Sequence, residues 1–272
     1  MTDNFPDKKP SRRQFLAGAA ALGAGSSAAG SLSASGDDPL ITEVQEWAQI
    51  TGDGVDATPY GLPIEFEKDV VRRNVGWLTA DTISSINFSP IHALDGTITP
   101  QGCAFERHHS GAIELRKEDY RLMINGLVDQ ELVFTYEDLE RFPREQHVYF
   151  CECAANTGME WAGAQLNGVQ FTHGMIHNME YTGVSLRTLL NEAGLNAAGD
   201  LKGKWIFVEG ADASSNGRSI PMEKALDDVL VAFKANGEAL RKEHGYPVRL
   251  VVPGWEGNMW VKWLRRVEVL DR

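Results

Sequence analysis

Hydrophobic positions change their period several times along the chain, and each change marks an element. Residues 120–128 (Tyr-Arg-Leu-Met-Ile-Asn-Gly-Leu-Val) read as a strand, with Asn125-Gly126 predicted as a tight turn inside the run. Residues 135–142 read as a short helix, with Thr135 at its N-cap and Pro143 as its stop. A β-rich run beginning at His147 ends at Cys153, where Ala-Ala-Asn-Thr-Gly loses all periodicity. Cys153 therefore falls at a strand-to-loop junction, a common place to present a functional side chain. Residues 185–194 carry apolar positions at helical spacing between a capping Ser185 and a terminal Gly194. Further strands are predicted at 204–209, 247–252 and 260–270, and a hairpin over 229–240 turning at Asn236-Gly237. The pattern predicts an α+β domain over residues 65–272, built of mixed short strands with a few helices, preceded by a polar linker or arm at 35–64.

Residues 1–34 follow no such pattern. Ser11-Arg12-Arg13-Gln14-Phe15-Leu16 is a twin-arginine sequence, and an Ala, Gly and Leu run follows to about Ala29, then small residues to Ala34. These are the parts of an export signal, and the apolar run is too short and glycine-rich to span a membrane. The bland alternative, a tail with two chance arginines, leaves unexplained why the apolar run starts directly behind the pair. The twin-arginine route carries folded proteins, and cofactor insertion in the cytoplasm is a common reason for it. The expectation is a periplasmic redox or metal protein with no membrane span.

Charge and cysteine content narrow the classes. Lys and Arg number 26 against 38 Asp and Glu, a net charge of −12, which argues against nucleic acid or an anionic membrane as partner. Cys103, Cys151 and Cys153 are too few for a disulfide-built fold, and the lack of any Cys-x-x-Cys pair rules out a zinc ribbon and a c-type haem of this chain's own.

Three clusters can carry chemistry. In Cys151-Glu-Cys153-Ala-Ala-Asn156, taking the two thiols to point to opposite strand faces, at most one reaches a given site. A thiolate facing a cavity suits a soft, high-valent metal, but a cysteine at a strand end is more often a small buried hydrophobe, and spacing alone leaves both readings open. In Phe105-Glu-Arg107-His108-His109 the arginine and imidazoles suit an anion, with a solvated basic loop as the equal alternative. The third cluster spans 241–266, where His244, Arg249 and Lys262 bracket a glycine-rich loop, Pro253-Gly-Trp-Glu-Gly257. Glycines let backbone N–H groups approach a phosphate-bearing group, although edge strands decorated with Lys and Arg look the same.

Taken together and in this order, the clusters resemble the sulfite oxidase family of molybdopterin enzymes, through Arg-x-His, Cys-Ala-x-Asn, His-Gly-x-Pro-Val-Arg and Val-Lys-Trp-Leu. Met159-Glu-Trp161, Ala164-Gln-Leu-Asn-Gly168 and Thr172-His-Gly-Met-Ile-His177 look like the sulfane dehydrogenase catalytic subunits within it. The resemblance implies a sulfite-oxidase-type molybdopterin-binding domain, with molybdenum held by one pterin and by Cys153. It implies Arg107 and His109 at the metal and substrate, with His108 beside the cofactor. It further implies Asp212 as a pterin-contacting acid, and His244, Arg249, Trp260, Val261 and Lys262 holding the pterin and its phosphate. The implied activity is two-electron oxo transfer to sulfane sulfur or sulfite, with electrons passing to a separate c-type cytochrome. Where sulfite oxidases carry an arginine after the metal loop, this chain has Thr157-Gly158, which suits a larger or protein-bound sulfur substrate. The family's pattern continues past Val-Lys-Trp-Leu into a tyrosine-bearing segment and a dimerisation domain, and neither is expected in this sequence. A non-catalytic scaffold of the same fold and an S-oxide reductase stand as alternatives.

Overall fold

The computed structural model describes residues 54, 63–76, 85–164, 166–195 and 203–272. The expected export signal at 1–34 lies outside them, as does the 35–64 arm apart from Gly54, Pro63 and Ile64.

Three sheets carry the fold. A small one joins β1 (Arg73–Asn74), β2 (Ser85–Phe88) and β3 (Arg107–His108). A second runs β11 (Glu238–Ala239), β10 (Leu230–Ala235), β7 (Ile176–Ser185), β6 (Glu145–Glu152), with β12 (Arg249–Val251) also pairing β10. The third is mixed, in the order β5 (Leu132–Thr135), β4 (Arg121–Gly126), β13 (Leu264–Leu270), β8 (Trp205–Gly210), β9 (Gly217–Pro221). Its β4–β13 pair is parallel, so the chain's last strand lies beside an early one. Inward residues of both larger sheets, including Leu122, Ile124, Val208 and Val267 with Met179, Tyr181, Val231 and Phe233, form one buried cluster. That shared core fixes the sheets that the site draws upon.

Local chemistry explains most elements. Helix α1 (Tyr136–Arg141) begins with a reciprocal cap, in which Thr135 Oγ1 accepts from Asp138 N at 3.1 Å and Asp138 accepts from Thr135 N at 2.9 Å. Helices α2 (Val169–His173), α3 (Leu186–Glu192) and α4 (Met222–Ala225) are short, and α3 buries Leu186, Leu189 and Leu190 at helical spacing. Ser185 stands at its N-cap position, but its hydroxyl pairs with Thr188 Oγ1 at 2.8 Å instead of a backbone N–H. The predicted hairpin forms, with Asn236 (φ 51°) and Gly237 (φ 77°) supplying the two left-handed positions of its turn.

Two expectations fail. Asn125-Gly126 makes no tight turn: it ends β4, and β5 returns only at Leu132. Gly126 (φ 92°) is needed because a Cβ there would lie 2.3 Å from Val269 O, across the β4–β13 ladder. The predicted strand 260–270 exists only from Leu264. Before it, Trp263 sits at φ 52° and residues 260–263 wrap as a loop, which turns Lys262 and Trp263 into a cavity.

Candidate active site

The loop bearing Cys153 is anchored on both sides. The β6–β7 ladder runs in register from Glu145↔Gly183 to Glu152↔Ile176, and Cys153 N–H continues it to Met175 O at 2.9 Å. Asn156 closes the turn: its N–H donates to Cys153 O at 2.9 Å, and its side-chain amide donates to Glu152 Oε1 at 2.9 Å. Its Oδ1 accepts from Met175 N at 3.0 Å. Asparagine serves here because one short side chain both donates and accepts across the turn. The expectation that Cys151 and Cys153 point apart is overturned, because residues two apart in a strand share a face and both line one cavity.

That cavity, of about 420 Å³, gathers residues from all three sheets. Nine of the ten residues singled out in the sequence line it: Arg107, His108, His109, Cys153, Asp212, His244, Arg249, Trp260 and Lys262. Val261 does not; its side chain is buried in the core and its carbonyl accepts from Leu250 N. The structure adds Cys151, His177, Arg218, Glu243, Asn258 and Trp263 to the lining. Cys151 was legible from its spacing to Cys153 once the strand's period is applied correctly. Arg218 carries no local signal, since only the β8–β9 turn brings it in, whereas Trp263 stands in the Val-Lys-Trp-Leu match and its φ of 52° turns it inward.

The polar groups are tightly held. Arg107 donates to Ser85 O at 3.2 Å, to His108 O at 2.7 Å and to His109 Nδ1 at 3.1 Å, which leaves its guanidinium a fixed cation at the β3 end. Lys262 Nζ donates to Arg107 O at 3.1 Å and Glu243 O at 2.9 Å. Arg249, buried, spends donors on His244 O and Trp260 O, both at 3.2 Å, and so ties the two halves of the third cluster together. Asp212 accepts from the Ser214 hydroxyl.

Burial dominates the electrostatics. It pulls Lys262 down to about 7, with Arg249 adding to the effect. It lowers His108 to about 4, reinforced by Lys262 and Arg107. Burial likewise raises the Cys153 thiol, while the Ala155 N–H and Arg107 oppose the rise, and Cys151 is pushed up to about 12. Without a metal both sulfurs are thiols; a bound metal ion deprotonates a coordinating thiol outright.

The lining fits a polar, anion-bearing cofactor. Among the described residues six buried side-chain polar atoms lack a hydrogen-bond partner, and five of them belong to residues that line this cavity: His108 Nδ1, His177 Nδ1, Asp212 Oδ1, His244 Nδ1 and Trp263 Nε1. Each such atom costs roughly 1–3 kcal/mol if it stays unmet, so their concentration in one cleft marks a site built for a ligand with matching groups. Four cations, Arg107, Arg218, Arg249 and Lys262, supply charge for a phosphate. Among the described residues no three His, Cys, Asp or Glu side chains converge as a metal cage, so a metal held at Cys153 would need ligands from outside the chain, such as a cofactor supplies.

Fold and cleft together define a cofactor-binding redox domain. The chain belongs to the family described as the oxidoreductase molybdopterin binding domain, whose family model matches residues 109–272. Its cofactor is molybdenum bound to molybdopterin. A structure of similar fold is that of the sulfane dehydrogenase SoxCD from Paracoccus pantotrophus, 71% identical, with a TM-score of 0.79 over 86% of this chain and 59% of that one. Mitochondrial sulfite oxidase of Mus musculus is 35% identical over 184 residues, 64% of this chain and 33% of that protein. NADH nitrate reductase 1 of Phaseolus vulgaris is 35% identical over 190 residues, 65% of this chain and 21% of that protein. The chain thus spans a third or less of these two curated relatives.

Proposed function

We propose that the protein is an exported molybdenum oxidoreductase that oxidises sulfane sulfur or sulfite and passes the electrons to a separate c-type cytochrome. The observation that carries this reading is the convergence of Cys153, Arg107, His109 and the unmet buried polar atoms in one cationic cleft. The 71% identity to a sulfane dehydrogenase supports the sulfur substrate, and the twin-arginine sequence supports a periplasmic location.

The bound cofactor supplies two-electron oxygen-atom chemistry at sulfur. The protein's share is position and charge. Cys153 would hold the metal through its sulfur, presented on a turn that Asn156 pins, and would give up its thiol proton on coordination. Arg107 cannot swing away, since two carbonyls and His109 restrain it, so an anionic sulfur species meets a preorganised guanidinium. His109 Nδ1 accepts from Arg107, which leaves Nε2 as the nitrogen able to exchange a proton with substrate or water. Lys262 and Arg218 would hold the cofactor's anionic part, and Asp212 Oδ1 would accept from its N–H groups. Thr157-Gly158 adds no cation beside Cys153, which leaves room for a larger or protein-bound sulfur substrate.

The test is cytochrome c reduction by the full chain, produced in a host that makes the cofactor, with sulfite, thiosulfate and a persulfide-bearing protein offered in turn. Turnover with a sulfur donor is expected. A molybdenum-loaded chain that turns over none of them indicates a scaffold, and one that only reduces an S-oxide indicates the reverse reaction class. Replacing Arg12 and Arg13 by Lys is expected to keep the protein in the cytoplasm, and unchanged export contradicts the signal.

A further inference from the structure

Two buried imidazoles that line the cavity, His177 and His244, stand next to each other, and each has one nitrogen already committed. His244 Nε2 lies 3.2 Å from both Ala104 O and Phe105 O. Carbonyls only accept, so Nε2 carries the proton and Nδ1 is a lone pair. His177 is arranged the opposite way. Its Nε2 is 3.0 Å from the Tyr181 hydroxyl, and that hydroxyl, fully buried, has no other hydrogen-bond partner among the described residues. A buried O–H must be satisfied, so the phenol donates to Nε2 and the neutral ring keeps its proton on Nδ1. Burial holds His177 at about 3 and His244 well below its ordinary value, so neither is a cation.

The result is a donor and an acceptor side by side. Both Nδ1 atoms lack a partner, His177 is 3% exposed and His244 2%, and the ring centroids are 6.0 Å apart. Phe105 packs against His177 at 5.0 Å, and Cys151 is its cross-strand neighbour, so the ring has a fixed seat in the wall of the cleft. A pterin edge alternates N–H donors with ring-nitrogen and carbonyl acceptors. One donor and one acceptor complement such an edge, whereas two like groups do not.

We propose that His177 is a cofactor-binding residue of this chain, its Nδ1–H donating to an acceptor atom of the pterin while His244 Nδ1 accepts from an N–H of the same heterocycle. Tyr181 is the positioning residue that fixes the tautomer of His177. This assignment rests on the cleft being the molybdopterin site.

The experiment compares wild type, His177→Phe, His177→Asn and Tyr181→Phe, each made as the full chain in a cofactor-competent host, by pterin and molybdenum retained per chain during dialysis. Phe keeps the shape and removes the donor; Asn returns an amide donor near the position of Nδ1. Loss of one neutral hydrogen bond predicts roughly five- to tenfold faster cofactor release from His177→Phe, with His177→Asn within about threefold of wild type and Tyr181→Phe between them. The cofactor-free His177→Phe chain loses the unmet Nδ1 but leaves the buried Tyr181 hydroxyl without its acceptor, so its melting temperature is expected to stay near or fall below that of wild type, and cofactor retention is therefore compared among folded chains. Equal retention in wild type and His177→Phe overturns the assignment alone; a wild-type chain that takes up no pterin overturns the site and the assignment with it. Should His177→Phe fail to fold, nitrogen-15 imidazole spectra of the cofactor-free wild type, assigned with His177→Asn, decide the matter. A proton on His177 Nδ1 supports the donor role, and one on Nε2 refutes it.

Discussion

Lys262→Met in the cofactor-free protein isolates the cost of keeping a cation ready for an absent anion. Burial and Arg249 lower the Lys262 ammonium to about 7 from an ordinary 10.5. The unfolded chain holds that proton up to about pH 10.5, and the folded chain gives it up from about pH 7. Between those limits the unfolded state binds more protons, so stability rises with pH. With these two values, wild type gains on the order of 1–2 kcal/mol relative to Lys262→Met as pH rises from 7 to 8.5. The variant also leaves Arg107 O and Glu243 O without their donor, but that loss does not vary with pH and only offsets the two curves. Above about pH 9 the buried thiols, Cys151 at about 12 among them, work in the opposite sense, and the buried histidines have already finished titrating by pH 7. The assay is urea unfolding of both chains followed by circular dichroism at pH 7, 7.75 and 8.5. Parallel curves, or a wild type that loses ground to the variant, refute the claim that the cleft holds a strained cation.

Asn156→Ala removes the side chain that pins the Cys153 turn to Glu152 and Met175, and is expected to cost about 1–3 kcal/mol in denaturant unfolding, with faster loss of molybdenum on dialysis. An unchanged midpoint and unchanged metal retention would remove the turn from the account. Gly126→Ala places a Cβ 2.3 Å from Val269 O at φ 92°, so β4 and β13 must part locally; a loss of more than about 2 kcal/mol is expected in the same unfolding assay, and a neutral effect would contradict that close approach.

The sequence spoke most clearly where chemistry is local. Thr135 with Asp138, and Asn236 with Gly237, specify a cap and a turn within a few residues, and both form. Cys153 was placed correctly at the end of β6 because periodicity stops there. Signals failed where the deciding partner lies far along the chain. Asn125-Gly126 looks like a hairpin turn, but Gly126 is glycine for the sake of Val269, a neighbour known only once β13 returns beside β4. Alternation over 260–270 suggests one long strand, whereas its first part, with Trp260, Val261 and Trp263 buried, wraps the cavity as a loop. The site was legible as a set of residue types in order, and resemblance supplied their roles. Val261 is the residue that the resemblance placed in the cleft and the fold places in the core. His177 escaped because its partner, Tyr181, is defined by strand register and not by any motif.

The account stands on a bond between the Cys153 sulfur and molybdenum, and X-ray absorption at the molybdenum edge reads that bond directly. Wild type and Cys151→Ser are predicted to show the two dithiolene sulfurs plus one thiolate around the metal, and Cys153→Ser the dithiolene pair alone. An unchanged sulfur shell in Cys153→Ser, or loss of the thiolate in Cys151→Ser instead, would contradict it.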